Sequence, residues 1–283
     1  MLRVHRASFH LPFPVQREVA EAASAKVYLA GGLDASDTST MAVVTVDLAR
    51  GTARVAGHVP SGFHDAAGAV IGGRLFVFAG GTGQISDVVQ SFDLATGKGR
   101  VEGTMPRPLS DLSSASVGGV VYLVGGYDGV SPQRLIYATT DGRHFKTVGT
   151  MPVGLRYAAL AAAGSVVVIA GGDTATGQSD RVMSFDPASG RVRTIGHLPR
   201  ALGHAVAFTL GGVVYVAGGS NAAGAALRGI SAVDPKHETV RRAGQLPSAL
   251  SDAAAVVEGG KAWIFGGWRG GPVADVLVAS FSP

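Results

Sequence analysis

The 283-residue chain contains no cysteine. Disulfides, thiolate metal sites and cysteine nucleophiles are therefore excluded, while the compartment is left open. Charge is sparse as well, 16% of residues against 46% hydrophobic, a balance that supports a large core and argues against disorder. No apolar run is long enough for a membrane-spanning helix. The stretch that most resembles one, Ala158 to Gly172, has fifteen residues without a charge and is broken by a turn at Gly164-Ser165. Arg3, His5 and Arg6 are followed almost at once by the repeated unit below, so Met1 is not expected to open a secretory leader. An extracytoplasmic location is expected only if a leader or anchor has been trimmed.

What is abundant is glycine, 42 residues, and it is placed regularly. A run of small or β-branched apolar residues closed by two glycines occurs six times: VYLAGG ending at Gly32, LFVFAGG at Gly81, VYLVGG at Gly126, VVVIAGG at Gly172, VYVAGG at Gly219 and AWIFGG at Gly267. Successive copies lie 45 to 49 residues apart, a period that marks one supersecondary unit repeated. An apolar-Pro pair keeps step with it, at Leu11-Pro12, Val59-Pro60, Met105-Pro106, Met151-Pro152, Leu198-Pro199 and Leu246-Pro247. The second glycine follows the proline by 20 residues in five copies and by 21 in the copy starting at Pro60.

Between the two markers each unit reads as a mostly apolar segment, a Gly-centred turn and the glycine-ended segment, which together predict a buried hairpin. A loop, a third segment such as VMSFDP, a tight turn and a fourth segment such as RVRTIG complete a four-stranded antiparallel meander. Superposing the prolines aligns residues 3–10 with the fourth strand at 191–197, and residues 278–283 with the third strand at 182–187. Residues 3–10 are thus expected to pair with the strand near 274–281 and to complete the last unit. Length alone would suggest about two domains, but the repeat predicts one, with units at 13–58, 61–104, 107–150, 153–197, 200–245 and 248–283 plus 3–10.

The GlyGly-ended strands, the phrase Gly125-Gly126-Tyr127-Asp128-Gly129 and the period near 47 resemble kelch repeats over essentially the whole chain. That resemblance implies an all-β, six-bladed β-propeller of kelch type, with four antiparallel strands per blade and the N-terminal strand closing the last. The chain departs from the family on the fourth strand, where the usual aromatic is replaced by Val192 and Val240, with Phe145 an exception. The fold does not decide function, since such propellers host enzymes and binding modules alike.

In a propeller the first strand of each blade is innermost, so the residue five after each proline is expected at the mouth of the central channel. These residues are Arg17, Asp65, Asp111, Tyr157, His204 and Asp252, all polar or ionisable. Two positions earlier stand Val15, Phe63, Leu109, Leu155, Leu202 and Leu250, which read as packing. The kelch resemblance implies an arginine that binds acidic partners only at Arg17. Three aspartates against one arginine instead favour a cationic or hydroxyl-rich ligand, although Arg17, between Asp252 and Asp65, is also placed to be absorbed in structural ion pairs. A carboxylate neighbour is expected to raise the pKa of His204, so that the mouth gains positive charge as the pH falls.

Residues after the double glycines are expected on the same face: Leu33-Asp34, Thr82-Gly83, Tyr127-Asp128, Asp173-Thr174, Ser220-Asn221 and Trp268-Arg269. Trp268, Tyr127 and Tyr157 are the aromatics on which a sugar or organic cation could stack. Gln16, His64, Ser110, Arg156, Gly203 and Ser251, one before the mouth positions, form a second tier unless strand alternation turns them away. Ser110, His204 and Asp252 have the residue types of a hydrolase triad, but they come from different blades and nothing sets their geometry. A hard-cation site at Asp65, Asp111, Asp252 and His204 is a weaker reading than ligand binding. His10, His58 and His197, each two before a proline, read as caps at blade edges. The kelch-containing copper–tyrosyl oxidases are excluded because they need a cysteine crosslink.

The net charge of +4 comes largely from arginines in turns and fourth strands, such as Arg54, Arg100, Arg191, Arg193, Arg241 and Arg242. Edge charge of this kind discourages edge-to-edge pairing and does not predict a nucleic-acid surface. The sequence thus predicts a monomer that binds a small polar or sugar ligand, or a protein partner, through one face at Arg17, Asp65, Asp111, Tyr157, His204, Asp252, Tyr127, Asp128, Trp268 and Arg269. No cofactor or metal is expected. The alternative is a carbohydrate-active enzyme, similar to the kelch-type sialic acid mutarotases, that uses the acidic mouth.

Overall fold

A computed structural model describes residues 2–281. Those residues contain no helix and form six four-stranded antiparallel sheets whose strands follow in chain order in the first five, with a small extra hairpin, Asp173–Thr174 against Gly177–Gln178, between the second and third strands of the fourth. Blade 1 consists of Val19–Ala23, Lys26–Ala30, Ala42–Asp47 and Thr52–His58. Blades 2 to 5 repeat this meander over 67–104, 113–150, 159–197 and 203–245. Blade 6 takes three strands from 254–281 and its fourth from Leu2–Arg6. The molecule is a six-bladed β-propeller.

The closure expected from the repeat register is present. Leu2 pairs with Phe281 and Arg6 with Leu277, and the pairing continues as the Ala7 N–H donates to the Val276 carbonyl and the Leu11 N–H to the Ala274 carbonyl. Residues 282 and 283, expected to extend this strand, lie outside the described residues.

The core lies in six layers between adjacent blades. Between blades 1 and 2, for example, Val19, Tyr28 and Val43 pack on Phe63, Leu75, Val77 and Phe92. Small residues on the innermost strands let six strands converge: a Cβ at Gly68 would stand 2.1 Å from the Val19 side chain. The double glycines act where two joints meet. A Cβ on Gly125 would lie 2.3 Å from the Leu155 carbonyl of the next blade, and one on Gly126 2.8 Å from the Ser110 carbonyl of its own blade. Both have positive φ, which costs an L-residue about 1–2 kcal/mol.

Blade 2 requires one correction. There the positive-φ pair is Ala79-Gly80, and Gly81 takes the place that follows the pair in other blades, bridging His64 as Tyr127 bridges Ser110. The spacing of 21 residues therefore reflects an extra glycine after the turn, not an inserted residue, and Ala79 occupies the left-handed position.

Candidate functional site

Two rings of backbone hydrogen bonds build the mouth. In the outer ring, the second residue of each positive-φ pair donates its N–H to the loop of the next blade: Gly32 to Phe63, Gly80 to Leu109, Gly126 to Leu155, Gly172 to Leu202, Gly219 to Leu250 and Gly267 to Val15. The accepting residues are the apolar positions that the sequence assigned to packing, and all are buried. In the inner ring, Asp65 donates to Arg17, Asp111 to Asp65, Tyr157 to Asp111, His204 to Tyr157, Asp252 to His204 and Arg17 to Asp252. This circle closes through six bonds of one sense. Its six members have φ between 52° and 59°, a conformation L-residues avoid and hold only when the surroundings enforce it.

The circle fixes where the side chains meet. Arg17 bridges two neighbours, with Nη1 3.1 Å from Asp65 Oδ2 and Nε 3.2 Å from Asp252 Oδ1. The Tyr157 hydroxyl donates to the same Asp65 oxygen at 3.1 Å. The imidazole of His204 stacks on the Tyr157 ring at 3.8 Å, with Nδ1 2.6 Å from Asp252 Oδ1 and Nε2 3.6 Å from Asp173 Oδ2. The Ser251 hydroxyl donates to the other Asp252 oxygen.

Arg156 and Asp173 are the participants that the ring positions alone did not single out. Arg156 lies 3.3 Å from Asp111 Oδ2, and its guanidinium covers the rings of Tyr127 and Tyr157 at 4.7 and 4.9 Å. Alternation does not turn this tier away, because Arg156 and Asp173 exchange backbone hydrogen bonds across the loop just before the left-handed residue reverses the chain. With Arg156, the excess of negative charge expected from the six positions is offset by two guanidiniums and an imidazolium.

The ionisation states follow from burial and partners. Burial opposes a charge on His204, but its bonds to Asp173 and Asp252 outweigh it and raise the pKa to about 9. The rise is in the expected direction, and two carboxylates act where one was foreseen. Burial likewise opposes ionisation of Asp252 and Asp173, and in both the histidine prevails and the pKa is lowered. At Asp65 burial prevails over Arg17, and with Asp111 and Asp252 nearby the pKa rises to about 7. Burial and then Arg17 push His64 below its ordinary value, leaving a neutral imidazole whose Nδ1 lies 2.8 Å from the Ser39 hydroxyl.

Above the circle lies a cavity of about 1080 Å³, bordered on its floor by Arg17, His204 and Asp252 and on its sides by His64, Met41 and Trp268. The remaining candidates stand apart from it. Tyr127 lies under Arg156 and donates its hydroxyl to the Gly129 carbonyl. Asp128 caps its own turn by accepting from the Val130 and Ser131 N–H groups and pairs with Arg107 at 3.0 Å. Arg269 is held 2.9 Å from both Asp275 and Ser248. His197 pairs with Asp180 at the blade edge, as expected of a cap. Among the described residues no group of three or more His, Asp or Glu side chains is arranged to hold a metal ion.

Fold and site together define a six-bladed β-propeller with a polar, charge-compensated cluster across one end of its channel. No family model matches the chain, and neither does any curated protein sequence. A solved structure described as "Structure of YjhT" is similar, with a TM-score of 0.85 over 96% of this chain and 97% of that one, at 16% identity. The likeness extends to the fold.

Proposed function

We propose that the chain is a kelch-type binding module whose mouth takes a small, hydroxyl-rich ligand such as a sugar. The supporting observation is the 1080 Å³ cavity whose floor offers a guanidinium, an imidazolium and a carboxylate side by side, with Trp268 on its wall as a stacking surface. Charge compensation favours a neutral polyol over a simple cation. A thermal-shift screen against sugars, polyamines, divalent cations and peptides tests this reading: saturable stabilisation by a sugar, lost in Trp268→Ala and His204→Gln, is expected. Stabilisation by peptides alone would replace it with a protein-binding role.

The second reading, a sugar-isomerising enzyme, is favoured by one observation. Asp65 and His204, both held by the same cluster, have pKa values near 7 and 9, a pairing suited to proton transfer near neutrality. Exchange between sugar anomers, followed by NMR with and without protein, separates the two. Exchange no faster than in buffer, with a sugar that binds, leaves the module.

A further inference from the structure

The wall of the mouth cavity holds a pair of side chains that neither the circle of six nor the sugar reading uses. The Ser39 hydroxyl and His64 Nδ1 are 2.8 Å apart, and both residues border the 1080 Å³ space. They come from two blades. Ser39 lies in the loop between the second and third strands of blade 1, and His64 stands immediately before the left-handed Asp65 at the entry to blade 2.

The repeat itself requires neither group. Ser39 bridges Leu33, the residue after the glycine pair, and the same place in the other blades is held by Ile85, Pro132, Gln178, Ala226 and Pro272. His64 is the one imidazole in its tier. Of the six joints, only that between blades 1 and 2 therefore brings a hydroxyl to an imidazole at these positions, and it does so beside the cavity.

We propose that Ser39 is a nucleophile and His64 its general base, and that the pair hydrolyses small carboxylic esters at the cavity wall. A hydroxyl within hydrogen-bond reach of an imidazole is the arrangement that activates serine. With Nδ1 accepting from the hydroxyl, the ring proton sits on Nε2, which faces Asp65 Oδ2 at 3.8 Å, and a carboxyl on that side favours the tautomer that the reaction needs. Burial and then Arg17 lower the His64 pKa while Asp111 and Asp37 act to raise it, so the imidazole is free to take a proton at neutral pH.

Ser39 Oγ attacks the ester carbonyl carbon as its proton passes to Nδ1. The carbon–oxygen bond to the alcohol then breaks, and the alcohol leaves with that proton. Water repeats the sequence on the acyl-serine and releases the carboxylic acid. Arg17, close enough to depress the imidazole, offers positive charge to the oxyanion formed in each half. An ester is selected over an amide because its alcohol leaves with less help. His64 has no carboxylate in hydrogen-bond contact to support the imidazolium, since Asp65 is engaged by Arg17 and Tyr157. The activity does not rest on the sugar reading.

A fluorophosphonate tests the nucleophile, because an unactivated serine does not displace its fluoride. Incubation with the full chain at neutral pH should attach one phosphonyl group, located on Ser39 by peptide mass spectrometry, and Ser39→Ala and His64→Gln should take up none. Both variants should fold, since alanine holds the place of Ser39 in blade 5 and glutamine that of His64 in blade 1. Hydrolysis of p-nitrophenyl acetate should be at least about a hundredfold slower in each, the usual worth of a positioned base. In the wild type it should be lost as the pH falls below about 6.5, where the imidazole protonates. Absence of label, label on a residue other than Ser39, or unchanged labelling or hydrolysis in either variant overturns the proposal and leaves the sugar reading as it stands.

Discussion

Asp65 at the mouth and Glu102 on the outer strand of blade 2 are both carboxylates held by guanidinium groups, yet their ionisation is pushed in opposite directions. Glu102 is attended by Arg74, Arg100 and Arg143, the last from blade 3, and by the Ser91 hydroxyl. Burial opposes its charge, but these partners prevail and hold its pKa at about 2. Asp65 shares a single guanidinium with Asp252 and faces Asp111, and its pKa rises to about 7. The difference lies in stoichiometry: three cations around one acid make a fixed clamp, whereas Arg17, Arg156 and His204 shared among Asp65, Asp111, Asp173 and Asp252 make an adjustable cluster. The edge is arranged for permanence and the mouth for response.

The largest expected effect breaks the joint on which the mouth depends. Gly126→Val and Gly172→Val place a branched side chain at φ values of 98° and 94°, with Cβ 2.8 Å from the Ser110 carbonyl and 3.0 Å from that of Arg156. A loss of about 3 kcal/mol or more in denaturant unfolding is expected, and wild-type midpoints would show the joint to be tolerant. Next comes the clamp. Glu102→Gln should cost about 1–2 kcal/mol, below the value for a fully buried pair because Arg100 and Arg143 are half exposed. Since the folded pKa is depressed, wild-type stability from Glu102 is present above about 4.5 and lost as the pH falls toward 2; the variant should lack that loss.

Asp65 has the opposite sign. Its folded pKa is raised, so wild-type stability falls as the pH rises from about 4 through 7, and Asp65→Asn should flatten that slope. The net change at neutral pH should stay within about 1 kcal/mol, since the lost bond to Arg17 offsets the relieved burial. A melting profile with the wild-type slope would place the titration elsewhere in the cluster. The smallest effect is expected at Ala79. Glycine there relieves a left-handed alanine while adding freedom to the unfolded chain, a net gain of about 0.5 kcal/mol. A loss on Ala79→Gly would mean that the methyl contributes packing.

Much of this could be read from residue order because two markers in register leave little freedom. The glycine pairs and prolines give the blade count, the clasp between residues 2–6 and 277–281, and the six members of the inner circle. Register failed where identity and conformation part, at Ala79-Gly80, since a strand does not announce which residue will turn left-handed. Arg156 stayed outside the expected circle because strand alternation was applied across a loop that abandons it, and Asp173, although expected on the same face, had no partner assigned until His204 Nε2 was seen beside it. Glu18, 7% exposed and with no hydrogen-bond partner for either carboxyl oxygen, went unremarked for another reason: a single acid among small residues carries no motif, and its burial exists only once the blades close around it.

The clasp of blade 6 also bears on the order of folding. It joins residues 279 positions apart, as Leu2 meets Phe281, whereas a first hairpin such as Ala67 to Phe78 closes over 11. Chain-closure entropy makes the long contact about 3 kcal/mol less accessible than the short one. Hairpins and then blades should accordingly assemble by local contacts, with the circle shutting last and after the rate-limiting barrier. Weakening the clasp with Val4→Ala should then speed unfolding and leave the refolding rate nearly unchanged; a slowed refolding arm in stopped-flow kinetics would mean that closure comes first.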